Sequence, residues 1–336
     1  MSINHVREYN QQIREWLLRT FAVAAAIPKN RLVSRACPVC GSHDHAFYAN
    51  NDHLDYVRCN ACTLIFMNPA PDPGAVDKGF EGEDALLMEY FSIIRKYRSA
   101  PPPQPDPVTD GKLRDIYAIK RSGKLLDVGC STGEFLHKAR HFYDVEGVEV
   151  NPHTAAVAAQ HFTVHKGFLH ELRLPPAYDI VTLHQILYGV PDPVGLLGDI
   201  HRVLMDDGIL YINSPNADSY AMALFGGKAN HLYGYTSLNV FNRQSLAALA
   251  AQTGFEIMTF RTEWLDIYMT DIAEFYDHRE RFIHKRNCHL PDYESRIRDE
   301  DKLHQALNLD LGMKGNYFVA VLRKSRASVG GATDNK

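Results

Sequence analysis

The chain reads as a doubly wound α/β protein with a small cysteine-bearing module in front. Three observations predict this. From residue 111 onward, short apolar runs alternate with helical patterns, as a mainly parallel sheet with helices on both faces requires. Ahead of them stand Cys37-Pro38-Val39-Cys40 and Cys59-Asn60-Ala61-Cys62, separated by 18 residues. Finally, the run Leu125-Leu126-Asp127-Val128 meets a tight turn, Gly129-Cys130-Ser131-Thr132-Gly133, and a helix pattern follows. Open α/β sheets bind ligands at such strand-to-helix turns.

Composition narrows the class. A chain of 336 residues suggests two domains at roughly 150 residues each. The apolar and charged shares, 45% and 23%, are ordinary globular values. A net charge of −4 gives no sign of a polyanion partner and argues against nucleic acid. No run approaches the roughly 18 apolar residues of a membrane span. Acidic Glu8 and Glu15 precede the short apolar run 21–27, which argues against a signal peptide. A cytoplasmic protein is expected.

Taken in order, residues 4–26 carry Val6, Tyr9, Ile13, Trp16, Leu17 and Phe21 at three- and four-residue steps, an amphipathic helix that Pro28 ends. It would pack on the catalytic domain or pair with a second copy, as in a homodimer. Residues 35–72 form the cysteine module. Two Cys-x-x-Cys turns at this spacing predict a closed four-thiolate zinc site, structural because no coordination position stays open. The ligands would be Cys37, Cys40, Cys59 and Cys62. Nearby His43, His45 and His53 read as surface residues. Residues 82–98 look helical. Five prolines in 100–107 exclude a helix or central strand and mark a linker. The domain plan is therefore 1–34 helix, 35–72 zinc module, 73–110 helical segment and linker, 111–324 catalytic domain and 325–336 tail.

Within the catalytic domain, strands are expected at 125–128, 145–150, 163–165, 180–183, 209–213, 255–260 and 316–322, seven in all. Helices are expected at 112–120, 135–142, 153–161, 193–205, 244–252 and 266–286. Gly254 stands at the C′ position of one of them.

The glycine turn discriminates between cofactors. A dinucleotide loop wants G-x-G-x-x-G, but Ser131 and Glu134 stand where two of those glycines belong. A carboxylate at the helix start would repel a pyrophosphate and would tolerate a cationic sulfonium. Gly129 and Gly133 would let the cofactor approach the backbone closely. Glu149, 20 residues after Gly129 and at the end of the second strand, can accept ribose hydroxyls.

The turn, the Gly147-Val148-Glu149-Val150-Asn151 strand end, the block Tyr178–Pro193 and the block Arg202–Asn216 stand in the order of four class I methyltransferase motifs. The resemblance covers about residues 110–325. It implies a Rossmann-like seven-stranded methyltransferase sheet and S-adenosyl-L-methionine as cofactor. The implied cofactor contacts are Asp127, Gly129, Cys130, Ser131, Gly133, Glu149, Val150, Phe168 and His184. Asp127 would orient the loop or the methionine amine, and Phe168 would line the adenine. The module in front resembles the zinc-ribbon-like module of many bacterial methyltransferases that act on sugars and other small molecules.

The chain also departs from its relatives. They often carry Glu-His where Tyr188-Gly189 stands, and His-Leu where Ser237-Leu238 stands. The catalytic base is therefore not transferable. Candidates are His184, Tyr188, His231 and Tyr233, the last two in the long connection from 216 to 243. The expected function is methylation of a small-molecule acceptor such as a sugar or natural-product intermediate. An RNA methyltransferase and a catalytically silent cofactor-binding protein are the alternatives.

Overall fold

The computed structural model describes Gln12, Glu15, Trp16 and Arg19, then 31–51, 54–83, 85–98, 107–219, 222–223, 226–229, 231–232, 236–263 and 313–325. The expected helix at 266–286, the proline-rich run up to 106, the tail from 326, and His53 and Tyr233 lie outside the described residues. So does most of the expected helix at 4–26, whose four described positions have helical backbone.

The cysteine module comes first. Strand β1 (Leu32–Val33) is followed by β2 (His45–Asn51), β3 (Leu54–Cys59), β4 (Ile65–Met67) and β5 (Ala70–Pro71). β1 pairs with β5, while β2, β3 and β4 form an antiparallel meander. Helix α1 (Pro73–Lys78) starts on Asp72, which caps it, and runs into a wider turn at Gly79–Glu83. Helix α2 (Ala85–Arg98) follows.

The α/β domain opens with α3 (Pro107–Ile119), which begins inside the expected linker. Then come β6 (Lys124–Val128), α4 (Glu134–Ala139), β7 (Asp144–Glu149), α5 (Pro152–Ala158), β8 (Thr163–Lys166) and β9 (Tyr178–His184). Helix α6 (Pro193–Val203) leads into β10 (Leu204–Pro215). A two-residue strand β11 (Asn239–Val240) precedes α7 (Arg243–Gln252), β12 (Phe255–Glu263) and β13 (Tyr317–Lys324). The helices start where short polar side chains answer their free N–H groups. Asn151 accepts from His153 N at 3.0 Å, Asp192 from Gly195 N at 2.9 Å, and Asn242 from Ser245 N at 2.9 Å.

The seven-stranded order is β12-β13-β10-β9-β6-β7-β8. β6 through β10 run parallel, and β13 is antiparallel to both of its neighbours. On one face, Leu113 and Ile116 of α3, Leu136 and Ala139 of α4 and Ala158 of α5 cover Leu125, Ile180, Ile209 and Val321. On the other face, Leu197 and Ile200 of α6 and Leu246 and Leu249 of α7 cover Leu126, Val181, Leu210 and Leu322. Burial on both faces explains why β6 and β9 read as continuous apolar runs. The strand order reverses at β6, which pairs with both β7 and β9. A ligand crevice belongs above the carboxyl ends of those strands.

The module is not an independent bead. β11 pairs antiparallel with β4 and completes a four-stranded sheet, β11-β4-β3-β2. One side of that sheet shares a core with Met222, Leu232 and Leu238 from the 216–243 connection. Its other side, through Val57, Leu64 and Phe66, is continuous with the α6–α7 core.

Candidate functional site

At the end of β6, Asp127 is buried and accepts a hydrogen bond from Thr182 Oγ1 at 2.7 Å. Burial pushes its carboxyl up to about 7, against the stabilising Thr182 hydroxyl. The chain then turns through left-handed backbone at Gly129 (φ 79°), Ser131 (φ 51°) and Gly133 (φ 83°). The N–H groups of Gly129 and Cys130 both donate to the Val148 carbonyl, at 2.8 and 3.0 Å. The turn is thereby stitched to β7.

Glu149 ends β7 with only 5% of its surface exposed. Its two oxygens are divided: Oε2 accepts Ser131 N–H and Oε1 accepts Asn151 N–H, each at 2.8 Å. Burial pushes this carboxyl up, and those amides oppose the shift. The next strand reports to the same place, because Gly167 N–H donates to the Glu149 carbonyl at 3.1 Å. Phe168 follows, its ring stacked on His170 at 5.6 Å. Asp127, Gly129, Ser131, Glu149, Val150 and Phe168 thus converge above β6, β7 and β8.

A Cβ on Gly129 would overlap Ile186, and one on Gly133 would lie 2.9 Å from Phe162. Backbone conformation and protein neighbours thus both ask for glycine at these two positions. The Cys130 thiol packs on Gly147, where no Cβ fits, and burial pushes it up, away from thiolate.

The rim beyond β9 holds the remaining candidates. His184 sits between the rings of Phe135 (4.3 Å) and Tyr211 (5.6 Å). Burial, helped by Lys112, holds it neutral, well below its ordinary value. Tyr188 lies on a short 3-10 turn, Leu187–Gly189. Burial pushes its phenol up, with Tyr90 and Tyr317 adding to the effect. His231 is 1% exposed and stands edge-on to Tyr317 at 5.2 Å. Burial lowers it to about 4, against a hydrogen bond with the Asn316 backbone.

Five buried side-chain atoms lack a hydrogen-bond partner among the described residues. Four belong to this rim: both ring nitrogens of His184, Ser214 Oγ and His231 Nε2. Unpaired buried polar atoms are costly. Thr182, Ser214, Tyr90 and Tyr317 were missed from sequence. Strand alternation could have found Thr182, two residues before His184 and so on its face.

Residues 108–259 match a family model described as a methyltransferase domain. The chain is 30% identical over 133 residues to a ubiquinone biosynthesis O-methyltransferase of Photorhabdus laumondii, covering 34% of this chain and 55% of the relative. A protein of the same name from Sodalis glossinidius is 30% identical over 134 residues, covering 34% and 53%. The chain thus spans about half the length of the curated relatives it matches. A SAM-dependent methyltransferase of Archaeoglobus fulgidus is similar in fold, with 20% identity, a TM-score of 0.48, and 70% of this chain and 99% of that one covered.

A Cβ on Gly189 would stand in ordinary contact with the Thr236 carbonyl at 3.4 Å and Phe80 at 3.8 Å. In the module, the four cysteine sulfurs all lie within 4.8 Å of one another. Cys37 and Cys62 are 3.5 Å apart, as are Cys40 and Cys59. Each knuckle is closed by its backbone: Gly41 N–H donates to the Cys37 carbonyl and Thr63 N–H to the Cys59 carbonyl. The Cys62 thiol donating to Cys37 lowers the latter to about 5 and raises Cys62, while burial raises Cys40. His45 is not a ligand; it pairs with Asn68 at 3.0 Å. No helix among the described residues is long and apolar enough to cross a membrane.

Proposed function

We propose that the protein is an S-adenosyl-L-methionine-dependent methyltransferase acting on a small-molecule acceptor. One observation carries this reading: the Glu149 carboxylate, buried at the strand switch and bound to the glycine turn through Ser131. The match of residues 108–259 to the methyltransferase-domain model supports it, as does Glu134 at the start of α4, which disfavours a pyrophosphate. Asp127 would hold the methionine amine, Glu149 the ribose, and Val150 with Phe168 the adenine. The bound cofactor supplies an electrophilic methyl group on a sulfonium. The protein's part is to hold the acceptor in line at roughly 3–3.5 Å.

The acceptor side would be walled by Tyr188, Tyr317 and Tyr90, with His231 edge-on to Tyr317. The names of the curated relatives make a hydroxyl the first acceptor to test. A hydroxyl needs a base. His184 is the leading candidate, because it is neutral, ends the strand beside the cofactor turn and has two unanswered ring nitrogens. Tyr188, His231 and Tyr233 remain in the acceptor role. The four cysteines fit a structural zinc ion, since Zn–S bonds of about 2.3 Å place tetrahedral sulfurs roughly 3.8 Å apart. Free thiols also suit a cytoplasmic protein.

The test is calorimetric titration with S-adenosylhomocysteine and, separately, NAD, on wild type and Glu149→Ala. Micromolar binding of the first ligand, weakened in the variant, is expected. Preference for NAD would return the turn to the dinucleotide class.

A further inference from the structure

The cysteine module reaches the acceptor-side loops through a short relay of side chains. Arg35, two residues before Cys37, is partly buried, with its guanidinium 5.5 Å over the Phe66 ring. Its Nε donates to the Met67 carbonyl at 3.1 Å. Its Nη2 donates to the Leu238 carbonyl at 2.9 Å and to Asn239 Oδ1 at 3.2 Å. The Asn239 amide then donates to the Val190 carbonyl at 2.7 Å. Val190 closes the turn that carries Tyr188. Further ties run beside this one. Met67 N–H donates to the Leu238 carbonyl at 2.9 Å, and the Tyr56 hydroxyl to the Ser237 carbonyl at 2.8 Å. The Asn51 amide donates to the carbonyl of Leu232, next to His231.

We propose that Arg35 and Asn239 are positioning residues that tie the cysteine module to the Tyr188 turn and so set the acceptor-side wall. What that wall does rests on the methyltransferase reading; the tie itself does not. The residue types suit the task. A planar guanidinium holds several acceptors in one fixed fork, whereas an ammonium is a point donor. Asn239 must accept from Arg35 and donate to Val190 at once, which a side-chain amide does and a carboxylate cannot. Asn239 is fully buried, so neither bond is replaced by water.

The two arms separate by substitution. Asn239→Asp keeps the acceptor for Arg35 and sets an oxygen against the Val190 carbonyl. Arg35→Lys keeps the charge and loses the fork. The experiment is hydrogen exchange by mass spectrometry on the full, zinc-loaded chain, with zinc content and S-adenosylhomocysteine affinity measured alongside. In Asn239→Asp, exchange at 186–190 should rise at least tenfold. The module and β6 to β8 should keep wild-type rates, zinc should stay bound, and affinity should stay within twofold. Arg35→Lys should raise exchange at both 186–190 and 236–240. Wild-type rates at 186–190 in both variants would overturn the proposal. So would a rise spread evenly over the sheet, which would reduce both residues to general stability. Should Asn239→Asp not fold, Arg35→Lys decides. Should wild type not bind S-adenosylhomocysteine, the methyltransferase reading falls while the exchange comparison still judges the tie.

Discussion

Glu149 and Ser131, 18 residues apart, are joined by a 2.8 Å hydrogen bond from the Ser131 backbone to the Glu149 carboxylate. The bond makes the glycine turn and the second strand of the domain one unit. Replacing Glu149 with Gln sets an amide N–H against either Ser131 N–H or Asn151 N–H. Hydrogen bonds to a charged group are worth about 1.5–3 kcal/mol. S-adenosylhomocysteine should therefore bind on the order of tenfold more weakly or worse, read by calorimetry. Unchanged affinity would remove Glu149 from the cofactor site.

With Asp127 on the cofactor's ammonium, as proposed, cofactor binding should depend on pH. In the folded protein it holds its proton up to about 7, against an ordinary value of 3.8. Its contribution to folding stability therefore falls as pH rises from 3.8 to about 7. An ammonium beside it favours the anion and reverses that preference. S-adenosylhomocysteine affinity should rise with pH through about 7, with proton release at pH 6. Asp127→Asn should flatten the profile, as titration in buffers of different ionisation enthalpy would reveal.

Cys130 and Gly147 fill one space between them. A Cβ at 147 would overlap the Cys130 thiol and lie 2.9 Å from its Cβ. Gly147→Ala should destabilise by about 1–3 kcal/mol, the usual cost of overpacking. The double variant with Cys130→Ala removes the sulfur overlap but keeps the Cβ contact, so it should recover part of the loss in thermal melts. No recovery would mean that Cys130 is held there by something other than packing.

Glu146 gives the fold an acid-sensitive tie. It accepts from His165 at 2.8 Å, Tyr178 at 2.6 Å and Lys124 at 2.6 Å. Burial opposes its charge, and these three partners overcome that, lowering it to about 2 from 4.5. Its stabilisation is complete above 4.5 and is lost as pH falls toward 2. Glu146→Gln should lower the melting temperature at pH 7 and flatten this part of the acid-unfolding curve.

With zinc on the four thiolates, as proposed, its removal should act on the module first. Cys59→Ser leaves three thiolates, and structural zinc sites supply folding energy directly. The variant should then hold no zinc and expose residues 35–67 to proteolysis before the seven-stranded sheet unfolds. Equal protection in the variant and wild type would show that the module's sheet stands without the ion.

The sheet was legible in sequence because each strand's burial is written into its own residues. Leu125-Leu126 and Ile180-Val181 are apolar on both faces. The helix expected to reach Met205 stops at Val203, because Leu204 already bonds to the strand beside it. No local pattern signals that pairing. The glycines of the cofactor turn were legible as glycines, but their neighbours Ile186 and Phe162 were not.

By itself, the sequence determined the order of strands and helices, the strand-end carboxylates and the four thiols in two turns. Those features depend on periodicity and on contacts a few residues long. Tertiary structure alone decided that β11, two residues long, completes the module's sheet, and that Arg35 reaches Leu238, 203 residues away. It also brought Tyr188, Tyr317 and His231 to one rim. Such contacts form when separately folded faces bury each other, and a two-residue strand carries too little pattern to foretell its partner.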